Sequence, residues 1–185
     1  GRSEAMMKVL RRIEQVAPTD STVLITGDSG TGKELAARAI HQLSPRRNRP
    51  FMAIDCTTLV ENLLESELFG HVKGSFTGAT QTKMGLFKVA DGGSLFLDEV
   101  SNISPSIQAK LLRVLQERVI TPVGGTNAIE IDIRLIAATN RDLKDLVAKG
   151  VFREDLFYRL NIVPINMPTL QERIEDLPVL VSHFL

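Results

Sequence analysis

The run Gly27-Asp28-Ser29-Gly30-Thr31-Gly32-Lys33-Glu34 carries the chemistry that is easiest to name in this chain. Glycines spaced G-x-x-x-x-G-K let a backbone curl until several N–H groups face one anion. A lysine directly after them can reach the β- and γ-phosphates of a nucleotide such as ATP. A second cluster, Asp98-Glu99, closes the apolar run Leu95-Phe96-Leu97. There Asp98 would hold Mg2+, directly or through water, and Glu99 would polarise an attacking water. Thr139-Asn140 follows another apolar run. Asn140 is placed to orient that water or touch the γ-phosphate; the plainer alternative is an Asn in a local turn.

Two arginines lie within Phe152-Arg153-Glu154-Asp155-Leu156-Phe157-Tyr158-Arg159-Leu160. Asp155 and Arg159 suit an exposed i,i+4 helical ion pair of about 0.3–0.5 kcal/mol. Arg153 and Arg159 are equally suited to stabilising transition-state charge in a neighbouring subunit's site. Spacing alone does not separate the two readings. Gly74-Ser75-Phe76-Thr77-Gly78-Ala79 brackets an aromatic and a hydroxyl residue with glycines. A loop tip that carries an apolar ring invites a partner. A turn that tucks Phe76 into its own core is the reading chemistry alone favours.

These groups need a scaffold. Val23-Leu24-Ile25-Thr26 reads as a buried strand, and Glu34 to Leu43 carries Leu35, Ala36, Ala39, Ile40 and Leu43 at helical spacing. The glycine loop therefore falls between a strand and a helix N-terminus. Ser3 caps an earlier helix whose apolar positions are Met6, Val9, Leu10, Ile13 and Val16. Further strands are expected at Phe51–Asp55, Ser94–Leu97 and Arg134–Ala138, with an edge-like one at Ile162–Ile165, where Pro164 sits. Helices are expected around Glu61–Phe69, Leu86–Ala90, Ser106–Glu117, Asp142–Lys149 and Arg153–Leu160. Val123–Asn127 reads as a turn between two extended pieces. Short apolar strands alternating with helices imply an α/β fold, a parallel sheet covered on both faces. Such sheets bind ligands at their carboxyl edge, where Asp98 and Asn140 fall.

At 185 residues with 43% apolar content, the chain can fill one sizeable core with a small appendage. Its 22 basic residues balance 22 acidic ones, which argues against a DNA-binding face. No apolar run suits a bilayer, and no signal-peptide pattern is present. A lone cysteine, Cys56, cannot form an internal disulfide, which fits the cytoplasm; it reads as a small core residue ending a strand. His41, His71 and His183 lack metal-ligand spacing. The chain opens on Gly1-Arg2 and stops within Leu177–Leu185, an apolar helical pattern started by Asp176 and Pro178. It is therefore expected to be a fragment, with a nucleotide-binding α/β subdomain at 1–170 and the beginning of a helical lid at 171–185.

Taken together, G-D-S-G-T-G-K-E, E-S-E-L-F-G-H-V-K-G-S-F-T-G-A, D-G-G-S-L-F-L-D-E, A-A-T-N-R-D-L and F-R-E-D-L-F-Y-R-L-N resemble the AAA+ domain of bacterial enhancer-binding proteins, the activators of sigma-54 RNA polymerase. The second motif is the most specific, because other AAA+ branches lack that insertion. The resemblance implies a three-layer αβα sandwich with a five-stranded parallel sheet, followed by a helical lid. It implies ATP and Mg2+ as ligands and a ring, a hexamer or heptamer, with nucleotide at the interfaces. Arg153 and Arg159 match the family's trans-acting arginines. The loop from Gly74 to Ala79 matches the sigma-54 contact loop, supported by a second loop around Val123 to Ile129. ATP hydrolysis would then remodel the closed promoter complex, with DNA bound only through a domain outside this segment.

Three positions depart from the family's usual pattern. Glu34 stands where a P-loop commonly carries Ser or Thr, although this family often has Glu there. Ser75 replaces the Ala of the usual G-A-F-T-G-A. Asp55 replaces the Asn that can hold the catalytic Glu in an inactive pose. A carboxylate facing Glu99 could not make that hydrogen bond unless protonated or bridged by a cation, so Asp55 marks an altered switch. Two rivals fit less well: a ligand-gated regulator that has lost ATPase activity, and another AAA+ remodeller. The first does not need Lys33, Asp98 and Glu99 intact, and the second leaves Gly74–Ala79 unexplained.

Overall fold

The apolar runs pair as strands in the computed structural model, which describes residues 3–176. β1 (Val23–Thr26), β2 (Phe51–Asp55), β5 (Ser94–Asp98), β8 (Arg134–Thr139) and β9 (Val163–Asn166) form one sheet in the order β2-β5-β8-β1-β9, all parallel. The expected five-stranded parallel sheet is observed. Pro164 lies on β9, which pairs only with β1 and so needs no second donor.

Side chains alternate across the sheet. Leu95, Leu97, Leu135 and Ala137 join one core cluster with residues of α3 (Glu61–Phe69), α5 (Pro105–Glu117) and α7 (Glu154–Leu160). Phe96, Ile136, Ala138 and Ile165 point into a second cluster with α1 (Glu4–Val16) and α2 (Lys33–Gln42). Helices on both faces follow from strands that are apolar on both sides. Short helices α4 (Leu86–Val89) and α6 (Leu143–Ala148) complete the shell. α5 begins at Pro105 rather than Ser106, because Ser104 caps it and Pro suits the first turn. Cys56 is buried just past β2, and burial pushes its thiol up to about 12.

Two hairpins project from the sheet. β3 (Gly70–His71) pairs with β4 (Lys83–Met84), and β6 (Val119–Ile120) pairs with β7 (Ile129–Glu130), both antiparallel. A parallel bridge from His71 to Val123 ties them together. At the other end of the chain, Asp176 is buried and accepts from Ser3 N at 2.9 Å and Ser3 Oγ at 2.8 Å, which fixes the residue capping α1. The lid helix expected through Leu185 lies outside the described residues. Among those residues, no helix is long and apolar enough to cross a membrane.

Candidate active site

β1 delivers the chain into the glycine loop, and α2 begins at Lys33. Gly27, Gly30 and Gly32 all take positive φ, so the loop curls as their spacing requires. At Gly27 a Cβ would stand 2.9 Å from Met167 Cβ, so only glycine fits there. Thr31 braces the curl by donating to Asp28 O at 2.7 Å, while Asp28, Ser29 and Gly30 stay exposed. Residues 28–31 and Thr169, Leu170 and Gln171 line a cavity of about 300 Å³. Two larger hollows, about 510 and 520 Å³, contain no residue of the glycine loop in their walls, so size alone misleads here.

Lys33 is only 6% exposed, and its ammonium donates to Gly27 O at 3.0 Å and Asp28 O at 3.2 Å. Its third neighbour is Glu99 Oε1 at 3.2 Å. Two hydrogen bonds and one ion pair therefore hold the ammonium inside the loop. Glu99 reaches back through a left-handed backbone, φ 52°, shared among the described non-glycine residues only by Arg118. That conformation costs about 1–2 kcal/mol, strain of the kind that clusters at functional positions. The other carboxylate oxygen of Glu99 accepts the Asn140 N–H at 3.1 Å. One side chain therefore joins the glycine loop, the end of β5 and the end of β8.

Strand register sets Asp55 opposite Asp98 at the sheet's carboxyl edge. Burial pushes the Asp98 carboxyl above its ordinary range, helped by the charges of Glu99 and Asp55. The Glu99 N–H, bonded to Asp98 Oδ1 at 3.0 Å, and the Lys33 charge oppose this. Among the described residues no cluster of three or more His, Cys, Asp or Glu could hold a metal unaided. The donor set still suits Mg2+, which commonly takes one or two protein carboxylates and completes its shell with phosphate oxygens and water. Glu34 pairs with Arg38 on the surface of α2 at 2.7 Å. Asp55 makes no hydrogen bond to Glu99: its Oδ1 accepts from Thr57 N at 2.8 Å and Thr57 Oγ1 at 2.7 Å. In this state Lys33, not Asp55, restrains Glu99.

The loop from Gly74 to Ala79 closes on itself through Gly74 N to Ala79 O, 2.8 Å, and Ala79 N to Phe76 O, 3.0 Å. Thr77 is exposed. Phe76 falls between the two readings of its sequence: it is half-buried, edge-on to the His71 ring at 5.0 Å, and outside both core clusters. His71 in turn bonds Ser66 Oγ on α3 at 2.7 Å. The Val123–Ile129 segment does lie beneath this loop. Val72 N donates to Val123 O at 3.1 Å, and a Cβ on Gly124 would stand 2.4 Å from Ser75 Cβ. The Ser75 hydroxyl is buried there without a hydrogen-bond partner.

The arginines differ from the pairing expected for a helix face. Asp155 binds Arg153 through both oxygens, at 3.0 and 2.8 Å, instead of Arg159. Arg153 precedes α7 and can lay its guanidinium flat on the carboxylate, a bidentate geometry that outcompetes a single i,i+4 contact. Arg159 is exposed and has no hydrogen bond or ion pair among the described residues. Both arginines lie on α7 or at its N-terminus. Sequence reasoning missed Arg173, buried and donating to Thr31 O in the glycine loop at 3.0 Å. It also missed Gln108, whose Oε1 accepts the Arg153 N–H at 2.8 Å. Neither carries a spacing signal.

Residues 1–166 match the sigma-54 interaction domain family. Over 185 residues the chain is 59% identical to the Nif-specific regulatory protein of Herbaspirillum seropedicae and 57% identical to the transcriptional regulatory protein ZraR of Salmonella typhimurium. It is 56% identical to the DNA-binding transcriptional regulator NtrC of Azospirillum brasilense. All of this chain is matched in each case, but it spans only 34%, 42% and 38% of those relatives. Crystal structures of NtrX from Brucella abortus, 44% identical, match all of it and 40–41% of their own chains. Their TM-scores are 0.94, 0.93 for a complex with ADP and 0.91 for a complex with ATP.

Proposed function

Because this chain belongs to the sigma-54 interaction domain family, the AAA+ P-loop NTPase module of transcriptional regulators, we propose that it hydrolyses ATP at a seam between identical subunits. Each cycle would drive the Gly74–Ala79 loop against sigma-54 RNA polymerase and so remodel the closed promoter complex. The observation that carries this reading is the Lys33–Glu99–Asn140 chain, which runs from the glycine loop across the ends of β5 and β8. That the NtrX structures were solved with ADP and ATP supports nucleotide as the ligand.

Gly27 to Gly32 present backbone N–H groups to the phosphates, and Lys33 takes the γ-phosphate. Asp98 would hold Mg2+, which when bound neutralises the charge building on the phosphate oxygens. Once Lys33 turns to phosphate, Glu99 loses one of its two holds and is free to orient the attacking water. The nucleotide can shift this balance because it binds the two arrangements of Lys33 unequally. Asn140 reports the change at β8. α3 carries it toward the loop through Ser66 and His71, on which the Phe76 ring rests. In a hexamer or heptamer, Arg159 of one subunit, unpaired among the described residues, completes the next subunit's site; Arg153 must first leave Asp155. Residues 1–170 form the nucleotide-binding subdomain and 171–185 open the lid. The protein works in the cytoplasm.

The test is capture of sigma-54 by the assembled full-length protein in the presence of ADP and aluminium fluoride. Capture should require the analogue and disappear in Lys33→Ala, which no longer binds ATP. Capture that ignores nucleotide, or no capture by a protein that hydrolyses ATP, would refute the coupling.

A further inference from the structure

The carboxamide of Gln108 sits in the interior of the fold, 1% exposed, on α5. It makes three hydrogen bonds, all to backbone and all outside its own helix. Nε2 donates to Ile103 O at 3.0 Å and to Val151 O at 3.1 Å, while Oε1 accepts the Arg153 N–H at 2.8 Å. Both amide protons are used. The flipped orientation would set N–H against N–H at Arg153 and oxygen against two carbonyls, so the network fixes which way the group faces.

The partners matter more than the count. Ile103 ends the turn that Glu99 begins: Asn102 N and Nδ2 both donate to Glu99 O, at 3.1 and 3.2 Å, and Ile103 N donates to Val100 O at 3.4 Å. Val151 and Arg153 lead into α7, which carries Arg159 in its last turn. α7 has no side-chain cap of its own, and Leu156, Phe157 and Leu160 pin only its apolar face. We propose that Gln108 is a positioning residue linking the turn behind Glu99 to the start of α7, so that the state of one subunit's nucleotide site sets the arginines it offers to its neighbour. This rests on the trans role of α7 proposed above.

The linkage has a physical basis. A buried amide bonded to three backbone groups cannot follow one of them without straining or releasing the others. A movement of the Glu99 turn is therefore passed to the α7 entry instead of being absorbed. Misplacing a transition-state group by about 1 Å can cost about 100-fold in rate.

Gln108→Met keeps the length and apolar volume but removes all three bonds. In the assembled full-length protein we expect kcat for ATP to fall by about 10- to 100-fold. ATP affinity, set by the subunit's own glycine loop, should stay within about twofold. The decisive experiment mixes variants. Glu99→Gln subunits cannot hydrolyse but present intact arginines, while Gln108→Met subunits keep an intact site and present misplaced ones. Mixed rings should hydrolyse ATP faster than the two preparations measured apart. Arg159→Ala mixed with Glu99→Gln is the control. If neither mixture recovers activity, the trans reading of α7 fails. If only the arginine mixture recovers, the assignment of Gln108 fails alone. Gln108→Asn, which keeps the amide but falls one methylene short, should show the same recovery even if Gln108→Met does not fold. Loss of ATP affinity in Gln108→Asn without recovery in mixtures would overturn the proposal.

Discussion

Gly124→Ala should uncouple the Gly74–Ala79 loop from its support while leaving the nucleotide site untouched. Gly124 has φ +73°, and a Cβ built there lies 2.4 Å from Ser75 Cβ and 3.2 Å from both Ser75 Cα and Val72 Cγ2. The left-handed backbone alone costs an alanine about 1–2 kcal/mol, whatever the space around it. The overlap adds to this. Carbon atoms rest about 3.5–4.0 Å apart, so the two loops must part by about 1 Å or more. Forced overpacking of this kind typically costs about 1–3 kcal/mol. The second share is specific to one neighbour, which makes it separable. Ser75→Gly deletes the nearest atom, so it should return most of the overlap share in the double variant and none of the backbone share. A double-mutant cycle by chemical denaturation measures that coupling, with hydrogen exchange across residues 70–80 as a local readout. Sigma-54 capture should weaken in Gly124→Ala and recover partly in the double variant, with ATP binding constant throughout. Effects that add to within about 0.3–0.5 kcal/mol, together with unchanged exchange, would show that the two loops do not bear on each other.

Other consequences follow from charge and burial. Asp98→Asn should abolish hydrolysis yet stabilise the nucleotide-free fold, because Asn can still accept the Glu99 N–H while shedding a charge that burial disfavours. The sign is set by linkage. A carboxyl whose pKa is raised on folding costs stability above its folded pKa and nothing once it is protonated in both states. The melting-temperature advantage should therefore be full at neutral pH and shrink as pH falls through the folded pKa. An advantage that grows in acid contradicts this. Ser75→Ala removes a buried hydroxyl that lacks a partner. It should leave the melting temperature equal or higher, since an orphaned polar group costs about 1–3 kcal/mol. A lower one would reveal a bond formed by that hydroxyl. Cys56, buried and with its thiol pushed up to about 12, should resist alkylation at pH 8 until the protein unfolds.

What the sequence disclosed was local. Glycines at fixed offsets after Val23–Thr26 announced the phosphate loop, and Ser3 announced its helix, because turns and caps depend on near neighbours. The parallel sheet followed from strands apolar on both faces, and Pro164 placed β9 at an edge before any pairing was known. The turn at Val123–Asn127 between two extended pieces was legible from its glycines, whereas the strands flanking the loop around residue 74 were too short for periodicity to show. Contacts distant along the chain stayed hidden for another reason. Lys33 and Glu99 meet across 66 positions only because β1 and β5 end at one edge of the sheet. Gln108 looks like one polar residue on an amphipathic helix until α7 is packed against it. Asp155 chose between two arginines by the orientation of its carboxylate, which residue spacing does not encode. Asp55 illustrates the same limit. Its identity suggested an altered switch, but that Thr57 occupies its carboxylate and Lys33 restrains Glu99 required the structure.

The most direct measurement compares ATP hydrolysis and promoter opening in one preparation of the full-length protein carrying Thr77→Ala. Thr77 is exposed at the loop tip and touches none of Lys33, Asp98 or Glu99. Hydrolysis should remain within about twofold, because nothing in the phosphate site changes, while sigma-54-dependent opening should be lost. Opening that persists at the unmodified rate would contradict the claim that this loop carries the output of ATP hydrolysis.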